Sequence, residues 1–181
     1  RVGVDETSSR RGQRYVTLFH DADARRLLFA TPGRNAATFK AFADDLKAHG
    51  GDARAISDVS LDMSKAFMAG AATHCPQARL TFDPFHVVAL ASQALDQVRR
   101  AEVKTEPDLK VTRWALQKDA RRWNDEQVCT MHWLQRSHLK TARAWRLKEA
   151  LRDLYAARPA PHEAGPLLDR WISWARRCRL P

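Results

Sequence analysis

Residues 2–31 read VGVDETSSRRGQRYVTLFHDADARRLLFAT, and the parsing of this stretch decides the fold. A short β-branched run opens it and stops on two acids, Asp5 and Glu6. A basic turn follows and leads into RYVTLFH (14–20), with Tyr15, Val16, Thr17, Leu18 and Phe19 all good strand formers. DADAR (21–25) is a turn, and RLLFAT (26–31) returns as a third strand. Three strands joined by short connections form an antiparallel meander. Pro32-Gly33 then breaks the pattern.

Outward from this meander the period changes. NAATFKAFADDLKAHGG (35–51) is an amphipathic helix with Asn35 as N-cap, Phe39, Phe42, Ala43 and Leu46 on one face, and Gly50-Gly51 as its stop. ARAISDVSLD (53–62) reads as a fourth strand ending at Asp62. SKAFMAGAATH (64–74) is a short helix capped by Ser64, and ARLTFD (78–83) is a fifth strand ending at Asp83. From Phe85 the apolar positions Val87, Val88, Ala91, Ala94, Leu95 and Val98 follow three-and-four spacing, so 85–104 is a long helix. Further helices are expected at about 109–122, 126–137, 139–157 and 162–177. The six Trp all fall in this helical part, where most are expected to be core.

The order is β-β-β-α-β-α-β followed by helices alone. Helical crossovers between the third, fourth and fifth strands imply parallel pairing. A mixed five-stranded sheet that begins with a meander is the RNase H-like α/β arrangement. The expected division is 1–104 for this core, lacking its last helix, and 105–181 for an all-helical insertion domain.

Lys plus Arg number 31 against 21 Asp plus Glu, a net of +10. Residues 1–83 hold 12 basic and 10 acidic residues (+2), and residues 84–181 hold 19 and 11 (+8), so the helical half carries the excess. Such an excess points to a polyanionic partner. The three Cys (Cys75, Cys129, Cys178) are far apart and odd in number, which fits a reducing, cytoplasmic setting better than secretion. No apolar stretch approaches membrane-spanning length and no signal peptide is visible. The start inside a strand, without Met or leader, reads as a cut chain.

Three strands are expected to end in Asp: Asp5, Asp62 and Asp83. If the first and fourth strands are neighbours, Asp5 and Asp62 meet at one sheet edge, and two such carboxylates persist where a divalent cation compensates them. Oxygen-only ligands suit Mg²⁺ or Mn²⁺. Taken singly, each acid is more simply a turn or capping residue, Asp62 above all, since it precedes Ser64. His86, three residues after Asp83, is either a packing residue at a helix start or an auxiliary group near the active centre. No zinc spacing, phosphate loop or nucleophile elbow is present. Arg99, Arg100, Arg121, Arg122, Arg143 and Arg146 are candidate phosphate contacts on the basic helices.

Residues 2–42, SLDMSKAF (60–67) and ARLTFDPFHVVALASQALDQVRR (78–100) resemble the DDE transposases of bacterial insertion sequences, closest to the ISL-three (ISL3) family. The Val-Asp-Glu start, the Gly-Arg-Asn turn after the third strand, the Asp-Met-Ser step and the Asp-x-Phe-His-Val-Val run carry the resemblance. LLDRWISWARRCRLP (167–181) is similar to the segment that closes the family's helical insertion. The resemblance implies a retroviral-integrase-like RNase H fold whose Asp-Asp-Glu triad binds two Mg²⁺ for DNA cleavage and strand transfer. By motif the first Asp is Asp5 and the second Asp62; Asp83 and His86 match an auxiliary motif. The implied partner is DNA, as transposon ends and target, with a homodimer open.

The family's Glu stands in a Glu-Gly-x-Asn context that this chain lacks. Glu163 is followed by Ala-Gly-Pro, expected to break a helix. The third acid is therefore expected beyond Pro181, and the chain is expected to be inactive as it stands. Two other readings stay open. One is another RNase H-like nuclease whose third acid is Glu102, Glu106 or Asp108. The other is a basic, non-enzymatic DNA-binding domain in which the acids are turn residues.

Overall fold

The computed structural model describes residues 1–10 and 14–180. Contacts divide the chain into two compact units, Arg1–His86 and Val87–Pro181. The boundary falls inside the expected 1–104 segment because Leu95 and Val98 of the long helix belong to the core of the helical unit.

The first unit is a five-stranded sheet with strands β1 (Val2–Arg10), β2 (Arg14–Asp21), β3 (Arg26–Pro32), β4 (Asp58–Leu61) and β5 (Arg79–Phe82). Their spatial order is β3-β2-β1-β4-β5, antiparallel between the first three and parallel for β1/β4 and β4/β5. This is the expected meander followed by crossovers. The crossovers pass through α1 (Ala37–Ala48) and α2 (Lys65–His74). The expected basic turn lies on residues 11–13, outside the described residues.

Three local expectations change. β1 does not stop at Asp5: it runs on to Arg10 because β2 pairs it along its length, with Asp5 opposite Leu18. β4 is only Asp58–Leu61, because Asp52 accepts the Arg54 N–H and turns Ala53–Ala55 into a short 3₁₀ segment. Asn35 accepts the Ala37 N–H as expected of a capping side chain, while the cap position itself falls on Ala36.

One sheet face carries the core. Val2, Val4, Phe19, Val59 and Leu61 point to it, and α1 and α2 cover it with Phe39, Phe42, Phe67 and Ala71. Phe19 stacks on Phe42 at 4.3 Å and meets Phe39 edge-on at 5.1 Å. Full burial of each such ring contributes about 1.5–3 kcal/mol. Gly33, at φ +104°, makes the sharp exit from β3 that a side chain would strain.

The second unit is helical: α3 (Pro84–Glu102, from Val87 on), α4 (Arg113–Gln117), α5 (Asp125–Arg136), α6 (Lys140–Ala157) and α7 (Pro161–Arg177). The expected helix at 109–122 is instead two 3₁₀ turns, Pro107–Lys110 and Ala120–Arg122, flanking the short α4. Its core is Leu95, Val98, Leu109, Leu116, Met131, Leu134 and Ala142. No Trp is fully buried in it: Trp114, Trp133 and Trp174 are exposed, and Trp123, Trp145 and Trp171 are half-buried, with Trp123 and Trp145 packed against the core. Trp123 and Trp171 donate their indole N–H groups to the Ala115 and Leu147 carbonyls, which suits a side chain with one polar tip at the margin of an aliphatic core. α7 runs through Gly165-Pro166 without a break. Pro166 lies early in the helix and removes one hydrogen bond, while the Glu163 carboxylate accepts the Ala160 N–H at its start.

Candidate active site

Sheet register sets the site. Val2 pairs with Val59 and Gly3 with Ser60, so two residues further on Asp5 comes level with Asp62. Leu61 pairs with Phe82, so Asp83 comes level with Asp62 on its other side. Adjacent strands lie about 4.8 Å apart, which sets the backbone spacing of each pair. Side chains alternate across a strand. With Val4 and Leu61 on the helix-covered face, Asp5 and Asp62 belong to the opposite, open face.

Each Asp spends one oxygen on nearby backbone. Asp5 Oδ1 accepts the Glu6 N–H at 2.8 Å, Asp62 Oδ1 the Ser64 N–H at 2.8 Å, and Asp83 Oδ1 the Phe85 N–H at 2.8 Å. The bond at Asp83 caps α3, while the bond at Asp62 closes the turn that leads into α2, so these local roles and the row of carboxylates coexist. The second oxygen of each makes no hydrogen bond among the described residues. His86, in the first turn of α3, brings Nε2 to 3.9 Å from Asp5 Oδ1. Its ring meets Phe85 edge-on at 5.5 Å.

Among the described residues no three His, Cys, Asp or Glu side chains converge into a metal-holding group. The donors that do come level are the carboxylates of Asp5, Asp62 and Asp83, with no thiolate beside them. That set fits a single Mg²⁺ or Mn²⁺, which binds through one or two carboxylates and fills its shell with water or substrate phosphate. Cys75 is buried in the sheet-unit core, where burial pushes its thiol pKa up and makes it a packing residue rather than a ligand.

Two features near Asp5 were not singled out in the sequence. Glu6 faces the helix-covered side and meets Arg34 of the Gly-Arg-Asn turn at 3.5 Å, and the Arg34 guanidinium lies 4.2 Å from the centre of the Tyr15 ring. This ties the exit from β3 to the strand that carries Asp5. His20 lies across Gly3, so closely that a Cβ on Gly3 would stand 2.1 Å from His20 Nε2. A glycine inside a strand is the signal for such a close approach.

The alternative third acids are placed differently. The Glu102 carboxylate accepts the Lys140 and Thr141 N–H groups at 2.8 and 2.7 Å and so caps α6. Glu106 and Asp108 are exposed at the 3₁₀ turn after α3.

The six candidate arginines divide. Arg99 is buried and gives two hydrogen bonds to Asp96, which withdraws it from any phosphate. Burial alone would raise the Asp96 carboxyl, but hydrogen bonds from Arg99 and Arg100 outweigh it and hold the pKa below the usual range. Arg143 is half-buried and donates to the Cys178 carbonyl. Arg100, Arg121, Arg122 and Arg146 are exposed; Arg100 pairs with Asp96, Arg121 lies 3.4 Å from Asp119, and Arg146 donates to the Gln135 carbonyl. Among the described residues no helix is long and apolar enough to cross a membrane.

Residues 2–181 match the ISL3-type DDE family, described as transposase. The chain is similar to the transposase for insertion sequence element IS1557 of two Mycobacterium tuberculosis strains, at 36% identity over 209 residues, covering 100% of this chain and 46% of the relative. It is also similar to the transposase for IS1001 of Bordetella parapertussis, at 29% identity over 168 residues, covering 88% of this chain and 41% of the relative. The chain thus spans about half the length of the curated relatives it matches. No solved structure matches it significantly. A mixed sheet in the order 3-2-1-4-5 with helices following, together with a family match over almost every residue, gives one conclusion: the chain belongs to the ISL3 family of DDE transposases.

Proposed function

We propose that the Arg1–His86 unit is the metal-binding half of a transposase active centre acting on DNA phosphodiesters, and that the helical unit is an insertion domain contributing basic surface. The observation that carries this reading is the register that brings Asp5 level with Asp62 at the end of the parallel β1/β4 ladder. In the reading, Asp5 and Asp62 hold Mg²⁺ or Mn²⁺. When bound, a divalent cation activates a water or 3′-hydroxyl and neutralises charge on the phosphate. His86, 3.9 Å from Asp5, orients that carboxylate, and Asp83 anchors the helix that carries His86. Glu102 and Glu163 are engaged as helix caps, which sets them aside as the third acid. DNA enters as substrate because the family is one of transposases and the net charge is +10.

The test is Mn²⁺ titration of the chain, followed by electron paramagnetic resonance. Asp5→Asn and Asp62→Asn are each expected to weaken binding at least tenfold while leaving the thermal midpoint within a few degrees. Binding unchanged in both variants refutes the metal-centre reading. It would favour the acids as turn residues of a DNA-binding domain.

A further inference from the structure

The turn between β2 and β3 stands on the side of Asp5 away from β4, and nothing in the metal-centre reading uses it. It adjoins a concavity of about 400 Å³ on the sheet. Its lining includes Asp5, His20, Asp21, Arg25 and Arg26. Asp5 is opposite Leu18 and Val2 opposite Asp21, so three residues of β1 separate Asp5 from the level of the turn. At about 3.3 Å per residue that is roughly 10 Å.

The acids of this turn are already engaged. Asp21 Oδ1 accepts the Asp23 and Ala24 N–H groups at 2.9 and 3.0 Å, and these bonds hold its carboxyl below the usual range. Asp23 is paired with the Arg1 guanidinium. The arginines are not matched in the same way. Arg26 is 4.0 Å from Asp21 and largely exposed. Arg25 has no ion pair among the described residues, and it holds a left-handed backbone at φ +52°. Such a conformation costs a non-glycine residue roughly 1 kcal/mol or more, and strain of this kind gathers at functional sites. His20, seated over Gly3, lines the same concavity.

We propose that this concavity is a phosphate subsite for the DNA backbone, with Arg25 and Arg26 as its cationic contacts and His20 as its floor. It rests on the reading of DNA as substrate and deepens it. The strand that presents a phosphodiester to Asp5 continues over the β2–β3 turn, and a neighbouring backbone phosphate is held there. Two arginines on one short turn fix the register of that strand without reading its bases.

The experiment measures duplex-DNA binding by the chain across a salt series, using fluorescence anisotropy. Arg25→Gln/Arg26→Gln is compared with Lys40→Gln/Lys47→Gln, which removes the same charge from exposed positions on α1. Each lost phosphate contact lowers the log–log salt slope by about 1. The turn variant is expected to lower it by about two and the α1 variant by less than half a unit, with both melting like the parent. Equal slopes in the two variants overturn the subsite and leave DNA binding itself intact. If the unaltered chain fails to bind duplex at low salt, the subsite and the reading of DNA as substrate fall together.

Discussion

Gly3 and His20 form the tightest side-chain constraint beside Asp5. With His20 Nε2 2.1 Å from where a Cβ would stand, Gly3→Ala must displace the imidazole or move β1. The clashing atoms are the far end of a half-buried ring that can swing aside, so the cost is expected to fall at or below the low end of the overpacking range, about 1 kcal/mol. We expect Gly3→Ala to lower stability by up to that amount in urea unfolding, and His20→Ala added to it to recover most of the loss. That recovery is the non-additivity of two residues in contact. Equal stability of Gly3→Ala and the parent would mean that the His20 ring is not held in this place. Arg34 is of another kind: its contacts with Glu6 and Tyr15 are partly exposed, so it orients the β3 exit more than it stabilises it.

At the level of elements, Glu102 shows how a candidate catalytic acid and a capping acid part company. Its two short hydrogen bonds satisfy the first free N–H groups of α6. Glu102→Ala is expected to destabilise the helical unit by about 1–2 kcal/mol, seen as an earlier loss of helical circular dichroism on heating. Undiminished stability in that variant would return Glu102 to the pool of catalytic candidates. The elements themselves were largely legible in the residues: the run of strand formers from Tyr15 to Phe19 marked β2, the DADAR turn and the apolar return after it marked β3, three-and-four spacing marked α3, and the two helical crossovers implied the parallel order. Their limits were less so. Asp5 read as a strand end because two acids follow an apolar run, yet β2 pairs β1 through Arg10 and backbone pairing overrides the unfavourable side chain. Pro166 read as a break, yet near a helix start it removes a single bond. Of the site, the Asp row could be read from topology, because register follows from strand order. Glu6–Arg34 and Gly3–His20 could not, because they join segments whose approach only the folded sheet determines.

Across the whole molecule the basic excess lies in residues 84–181, but burial changes which arginines carry it to the surface. With Arg99 and Arg143 engaged internally, Arg100, Arg121, Arg122 and Arg146 remain as the exposed members of the set. Changing these four to Gln is expected to lower the salt slope of DNA binding by up to about four. A variant that also carries Arg99→Gln should lose stability rather than further slope, since that side chain is buried on Asp96. An unchanged slope in the fourfold variant would mean that DNA bypasses the helical unit. The parallel pairing of β1 with β4 has a kinetic consequence as well. Val2 meets Val59, so the contact closes a loop of 57 residues (59 − 2), whereas the β1–β2–β3 meander closes over short turns. Long-range pairings of this kind form slowly relative to local ones. The hairpin that carries Asp5 is therefore expected to form before Asp62 arrives beside it. In the proposed metal centre a cation would need both carboxylates, so a metal added to a refolding chain is expected to report the β1/β4 closure.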